Sequence, residues 1–233
     1  MSNLKLNDNT IYKELDLIDI LKKENPSISD TKIKWSLFEL EKNNIITRIG
    51  TKTYITNGKT YSYTPSSSTN EINSFLNQKY PLIKYIVWET RQLNEWMNFL
   101  FAKNIIIVEV ESKLKDYVFQ SLLENFEHKY MFLLEPDNDQ ISKYVTNDLI
   151  IVKTLFSRSP INKKAHSMTP EKLLVDIISD KTIYSMIGTY DKKEIIMGII
   201  NNYTINESKL LTYAKRRKHE KEILSILEAR NDK

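Results

Sequence analysis

A chain of 233 residues with 41% apolar and 27% charged side chains can bury one large core or two modest ones, which excludes a disordered or low-complexity protein. The absence of cysteine excludes disulfide scaffolds, cysteine nucleophiles and thiolate metal centres. The net charge of +4 permits nucleic-acid contact without requiring it. The start, MSNLKLNDNT, lacks the apolar stretch of a signal peptide, and no run approaches the roughly 18 apolar residues of a membrane span. The expected location is therefore the cytoplasm, with no membrane partner.

In chain order, residues 10–24 predict a helix with Ile11, Leu15, Ile18 and Leu21 on one stripe, stopped by Asn25-Pro26. A second helix follows from Ser29, a capping residue, with Ile33, Leu37 and Leu40 as its buried stripe and Asn43-Asn44 as its end. Lys32, Lys34 and Ser36 fall mostly on its other faces, and Trp35 reads as core rather than as a partner contact. Ile45 and Ile46 then enter an extended run that turns around Gly50 and returns through Tyr54 and Ile55. A helix followed by a small basic hairpin is the pattern of a winged helix-turn-helix, with the helix in the major groove and the wing on the backbone. A full tri-helical domain has one more helix than these residues supply. Over 29–60, Lys32, Lys34, Lys42, Arg48, Lys52 and Lys59 stand against Asp30, Glu39 and Glu41, a local charge of +3 that favours a phosphate-facing surface.

Asn57-Gly58 reads as a tight turn, Tyr61 and Tyr63 alternate like a short strand, and Pro65 with the serines after it reads as the linker. The expected domains are thus 1–65, winged helix-turn-helix, and 66–233. The second alternates helical and strand-like runs, the α/β or α+β class with a small mixed sheet. Helices are predicted over 71–79, 90–100 and 114–126, and strands over 82–89, 104–111, 129–136 and 148–155. From about 169 the pattern is all helical: Thr169-Pro170-Glu171 combines a cap, a first-turn proline and a first-turn acid. Further helices are predicted over 191–202, 207–217 (capped by Asn206) and 219–230, with joints at Ile187-Gly188 and Asn201-Asn202.

One enzymatic pattern stands out. Period two puts Glu109, Glu111 and Lys113 on one strand face, and Glu89 ends the preceding strand. That imitates the acid plus Glu-x-Lys arrangement in which restriction-type nucleases hold Mg²⁺. Solvent-facing acids at a strand end explain it equally well. Asp137, Asp139 and Asp148 are scattered around turns, His128, His166 and His219 lie far apart, and the four glycines never cluster into a phosphate loop. No cofactor, metal or catalytic residue is otherwise expected. Lys215, Arg216, Arg217 and Lys218 form a basic run that reads as an extension of a DNA footprint, as a surface for an acidic partner, or as plain charged surface.

Several stretches in order resemble the AbiEi-like antitoxin family of type IV toxin–antitoxin (abortive infection) pairs: SLFELEKNNIITRIGTKTYI (36–55), VWETRQLNEW (87–96), IIIVEVE (105–111), SRSPI (157–161), MTPEKLLVDIISDK (168–181) and LLTYAKRRKHEKEI (210–223). The resemblance implies a non-catalytic transcriptional autorepressor whose winged domain binds inverted repeats in its own promoter. It implies a C-terminal domain that counteracts a nucleotidyltransferase-like toxin. On matching positions, Lys32, Lys34 and Ser36 become contacts of the recognition helix, and Arg48 and Lys52 contacts of the wing. Glu171, Lys172 and Asp176 fall in the matching C-terminal helix. Operator repeats imply two copies on DNA, although no heptad supplies a dimer interface. Beside the nuclease, a protein-interaction module without DNA binding is the other alternative to this reading.

Overall fold

In this computed structural model, which describes residues 4, 6–7, 10–43, 45–56, 59–97, 103–144, 146, 148–187 and 189–231, the first regular element is a strand, β1 (Ile11–Lys13). It replaces the first turn of the expected helix because its residues pair antiparallel with Thr53, Tyr54 and Ile55. A distant partner strand overrides local helical spacing for an Ile-Tyr pair that suits a pleated surface. Helix α1 (Glu14–Glu24) begins where the Asp16 carboxylate accepts the Lys13 N–H at 2.8 Å. The later start moves the buried stripe to Leu17 and Leu21, and leaves Leu15 exposed.

Helix α2 (Asp30–Lys42) is capped by Ser29, which accepts the Lys32 N–H, and turns Ile33 and Leu37 inward. Asn43 closes it; Asn44 lies outside the described residues. Strands β2 (Ile46–Gly50) and β3 (Thr53–Thr56) form an antiparallel hairpin, giving a sheet in the order β1-β3-β2. The turn falls on Thr51-Lys52, past Gly50, after an irregularity between Arg48 and Gly50. Lys52 rather than glycine takes the left-handed conformation, φ 52°. Leu17, Leu21, Ile33, Leu37, Ile46 and Tyr54 make one core, each large side chain worth about 1.5–3 kcal/mol of burial.

The chain divides into two units, 1–61 with 202–209, and 62–201 with 210–233. A linear boundary at 65/66 does not contain the return of 202–209 to the first unit. There the Thr204 N–H donates to the Lys59 carbonyl, and Asn206 Nδ2 to the Arg48 carbonyl, both at 2.9 Å. Tyr203 packs edge-on against Tyr61. Tyr61 and Tyr63 belong to no strand, and the expected turn at Asn57-Gly58 lies outside the described residues. The serines after Pro65 are no linker: Ser66 accepts the Thr69 N–H and caps α3 (Ser67–Lys79).

The second unit is built on a four-stranded mixed sheet of β4 (Tyr85–Glu89), β5 (Ile106–Val110), β6 (Met131–Leu134) and β7 (Leu149–Thr154), in the order β4-β5-β7-β6. β4 runs antiparallel to β5; β5, β7 and β6 are parallel. On one face, Tyr85, Val87, Ile106, Val108, Val110, Ile150 and Val152 pack against α3 and α4 (Lys115–Phe126). The near-continuous apolar runs follow from burial of both faces. Helix α5 (Asn138–Tyr144) and a small hairpin, β8 (Ile161–Asn162) with β9 (Ser167–Met168), have no counterpart among the expected elements. The hairpin covers the edge of β4, where the Val87 N–H donates to the His166 carbonyl at 2.8 Å. Of the helix expected over 90–100, the described residues form a 3₁₀ turn, Thr90–Leu93, and residues 98–100 lie outside them.

Helices α6 (Pro170–Ser179), α7 (Lys181–Met186), α8 (Thr189–Asn202), α9 (Glu207–Arg217) and α10 (Glu220–Asn231) complete the chain. Thr169 caps α6, accepting the Lys172 N–H, and Asn206 caps α9, accepting the Lys209 N–H. Gly188, an expected joint, lies outside the described residues. Among the described residues, ten α-helices and three small sheets make this a mixed α/β chain. Among the described residues no helix is long and apolar enough to cross a membrane.

Candidate functional site

In the first unit, Lys32 and Lys34 are exposed on α2 and Ser36 is half-buried. Arg48 is exposed on β2, its guanidinium 5.7 Å from the Tyr54 ring centre, and Lys52 is exposed at the tip of the hairpin. Trp35 and Phe38 share the outside of α2 with Lys32 and Lys34, 57% and 59% exposed. The expected core role of Trp35 is therefore wrong: Ile33 and Leu37 fill the inner stripe, and position 35 falls across the helix from them.

The four residues of the nuclease pattern do not converge. Glu89 pairs with Ile106 and Glu109 with Ile86, so alternation sends their side chains to opposite faces of the sheet. β5 ends at Val110, and Glu111 and Lys113 lie beyond it at exposed positions, Lys113 in a 3₁₀ turn, so period two does not extend to them. Glu89 is fully buried and accepts from Ser66 N and Oγ (both 2.8 Å), Tyr63 Oη (2.9 Å) and Asn104 Nδ2 (2.6 Å). Burial alone would raise its pKa; those four donors outweigh it and hold the carboxyl below its ordinary value. Among the described residues no three or more His, Asp or Glu side chains are grouped to hold a metal ion.

On the other face of the sheet lies a buried ion network. Glu109 accepts from the Trp88 indole at 3.0 Å and pairs with Lys172 at 2.8 Å. Lys172 also pairs with Asp176, one helical turn on, and all three side chains are almost fully buried. Asp176 in turn accepts from Tyr213 Oη at 2.7 Å and pairs with Arg217 at 3.1 Å, both from α9. Lys153 and Asp180 form a neighbouring pair. Three cations meet three carboxylates, the condition under which buried charge is tolerable. Desolvation works against the charged form of Lys172, but Asp176 and Glu109 together raise its pKa well above that of a free lysine. Burial, then the Asp176 charge, raises the Tyr213 phenol, which stays a donor. For Asp180 the penalty of burial is overcome by Lys153, which lowers the carboxyl.

This network splits the C-terminal basic run. Lys215 and Lys218 are exposed, but Arg217 is turned inward to Asp176 with its guanidinium 4.3 Å from the Phe156 ring centre. It cannot serve as a free surface cation, because a fully buried Asp176 needs its charge. Arg216 faces outward and its Nε donates to Ser157 Oγ at 2.7 Å. The network residues escape a motif search because they come from β5, α6 and α9. One signal does exist: Lys172 and Asp176 are spaced i,i+4, Lys172 just before and Asp176 inside an otherwise apolar run, Leu173 to Ile178, that leaves them no polar face.

The chain is thus a two-unit α/β protein, with a small unit that exposes Lys32, Lys34, Arg48 and Lys52 and a larger one that clamps its C-terminal helices to a sheet through buried ion pairs. It belongs to DUF6577, a family of unknown function whose model matches residues 32–233. No curated protein matches it.

Proposed function

We propose that this protein is a DNA-binding transcriptional autorepressor acting in the cytoplasm, and that it counteracts a nucleotidyltransferase-like toxin as the antitoxin of a type IV pair. The observation that carries the DNA half is the grouping in one small unit of exposed Lys32 and Lys34 on α2 with exposed Arg48 and Lys52 on the β2–β3 hairpin. The element order β1-α1-α2-β2-β3 among the described residues, with β1 laid on β3, fits the paired helices and wing of a winged helix-turn-helix. In this reading α2 enters the major groove with Lys32, Lys34 and Ser36, and the hairpin lies against phosphates. The antitoxin half rests on the ordered resemblance to AbiEi-like proteins, including the 168–181 stretch whose Lys172 and Asp176 serve the ion network.

The test is a gel shift of the chain's own upstream DNA at several salt concentrations, with Arg48→Ala and Lys52→Ala beside the unaltered protein. Retained binding with an unchanged salt dependence would refute the assignment of this surface. Coexpression with the neighbouring gene tests the antitoxin half: no relief of growth arrest would refute it.

A second reading has its own observation. Trp35 and Phe38 expose two large aromatic rings at i,i+3 on α2, a composition common in protein interfaces. In this reading α2 docks a protein partner and the unit does not bind DNA.

A further inference from the structure

We infer that the second unit carries a binding site for a small phosphorylated ligand of nucleotide type, at the carboxyl ends of β5 and β7. Val110 and Thr154 are register partners at those ends, and Lys84 precedes β4, whose first residue pairs with Val110. After β5 the chain leads to α4 on one face of the sheet. After β7 it leads through the β8–β9 hairpin to α6, whose Lys172 reaches Glu109 on the other face. Connections that part in this way open a crevice at the strand ends, the usual ligand position in open α/β sheets. A pocket of about 450 Å³ lies there. That size is within the roughly 300–1,000 Å³ range of small-molecule sites.

The lining defines the ligand's chemistry. Lys84, Arg158 and Arg216 meet only one carboxylate, Glu111, so the pocket has a net charge of +2. Among the described residues none of these three cations makes an ion pair, in contrast to the balanced network on the sheet face behind them. A phosphate monoester carries about −1.5 to −2 at neutral pH, which matches; a lone carboxylate does not. Arginines are the side chains suited to gripping phosphate with two donors at once. Ser157 holds Arg216 by the Nε bond, which leaves the guanidinium's terminal nitrogens for a ligand. Arg158 keeps a left-handed backbone, φ 62°, a conformation that costs a non-glycine residue about 1 kcal/mol or more and clusters at binding loops. Phe156 lines the same pocket 40% exposed, braced by the Arg217 guanidinium, and offers a ring on which a base can stack.

The experiment is calorimetric and NMR titration of the full chain with ADP, pyrophosphate and duplex DNA at low salt. ADP should bind with a sub-millimolar constant. The double variant Arg158→Gln/Arg216→Gln should weaken it at least about tenfold with an unchanged melting temperature, since both side chains are at the surface. Phe156→Leu should weaken ADP and leave pyrophosphate unaffected. No ADP binding up to about 5 mM, or equal binding by the double variant, would overturn the site. Pyrophosphate binding as tightly as ADP, with no effect of Phe156→Leu, would overturn its nucleotide character. If duplex DNA alone perturbs these residues, the pocket is part of a DNA surface and the inference fails.

Discussion

Glu89 and Glu109 sit on adjacent antiparallel strands of one sheet and serve opposite faces of it: Glu89 gathers four donors from 63–66 and Asn104, while Glu109 holds Lys172 on α6. Each carboxylate binds segments that are far apart in sequence to the same sheet. Neither is exposed enough to meet a substrate, with relative accessibilities of 0% and 2%.

Glu89 makes stability sensitive to acid. Its folded pKa is lowered, as is that of Asp180. A lowered folded pKa contributes stability above the unfolded value and loses it as pH falls through the folded value. Denaturation midpoints should therefore fall as pH drops below about 4.5, the ordinary glutamate range. Glu89→Gln should flatten part of that fall. At pH 7 it should cost about 1.5–3 kcal/mol, because a neutral amide accepts fewer and weaker hydrogen bonds. Urea melts at pH 3.5–7 check both; an unchanged acid slope in the variant would remove Glu89 from the account.

Lys172→Met should be among the most damaging single substitutions, about 3–5 kcal/mol, since it leaves Glu109 and Asp176 buried without their shared cation. Glu109→Gln combined with Lys172→Met should cost less than the two single losses added together, because the pair acts as one unit. A double-mutant cycle by chemical denaturation measures this coupling, and additive losses would argue against the pairing.

How much of this was legible in the sequence depended on whether the cause was local. The caps at Ser29, Thr169 and Asn206 were legible because a cap is a contact within four residues. So were the buried strands β4, β5 and β7, through their apolar runs. The first strand was not, because Ile11-Tyr12-Lys13 is held by residues more than 40 positions away. The basic residues of α2 and the hairpin were legible as exposed positions. The inward turn of Arg217 was not, since nothing near it in sequence announces the buried Asp176 it neutralises. Trp35 misled because aromatic residues are usually buried, and the helix phase that exposes it became clear only once Ile33 and Leu37 were placed.

The two readings of the first unit separate on salt dependence. If Arg48 and Lys52 contact phosphates, replacing each by Ala should reduce the slope of log K against log salt by about 1. Trp35→Ala/Phe38→Ala should leave that slope unchanged, and should leave stability within about 0.5 kcal/mol because both rings are already exposed. If instead the aromatic pair anchors a protein partner, the same double variant should abolish capture of that partner while the Arg48 and Lys52 variants retain it. Pull-down and gel shift on one set of variants distinguish these outcomes.

Gly198 lies inside α8 with an ordinary helical backbone, where alanine would normally gain about 1 kcal/mol in helix propensity. A Cβ at this position, however, would overlap the indole of Trp96, falling well inside van der Waals contact of Cδ1, 2.9 Å from Cγ and 3.2 Å from the Trp96 Cβ. Trp96 is itself buried, and a rigid bicyclic ring cannot yield by bending its tip as a long flexible side chain can. The overpacking penalty, about 1–3 kcal/mol, should therefore equal or exceed the propensity gain. Gly198→Ala is expected to lower the denaturation midpoint despite its better helix-forming residue. Gly198→Ala combined with Trp96→Leu should recover part of the loss, because the smaller side chain makes room for the methyl group. A Gly198→Ala protein more stable than the unaltered chain would mean that Trp96 does not pack on α8.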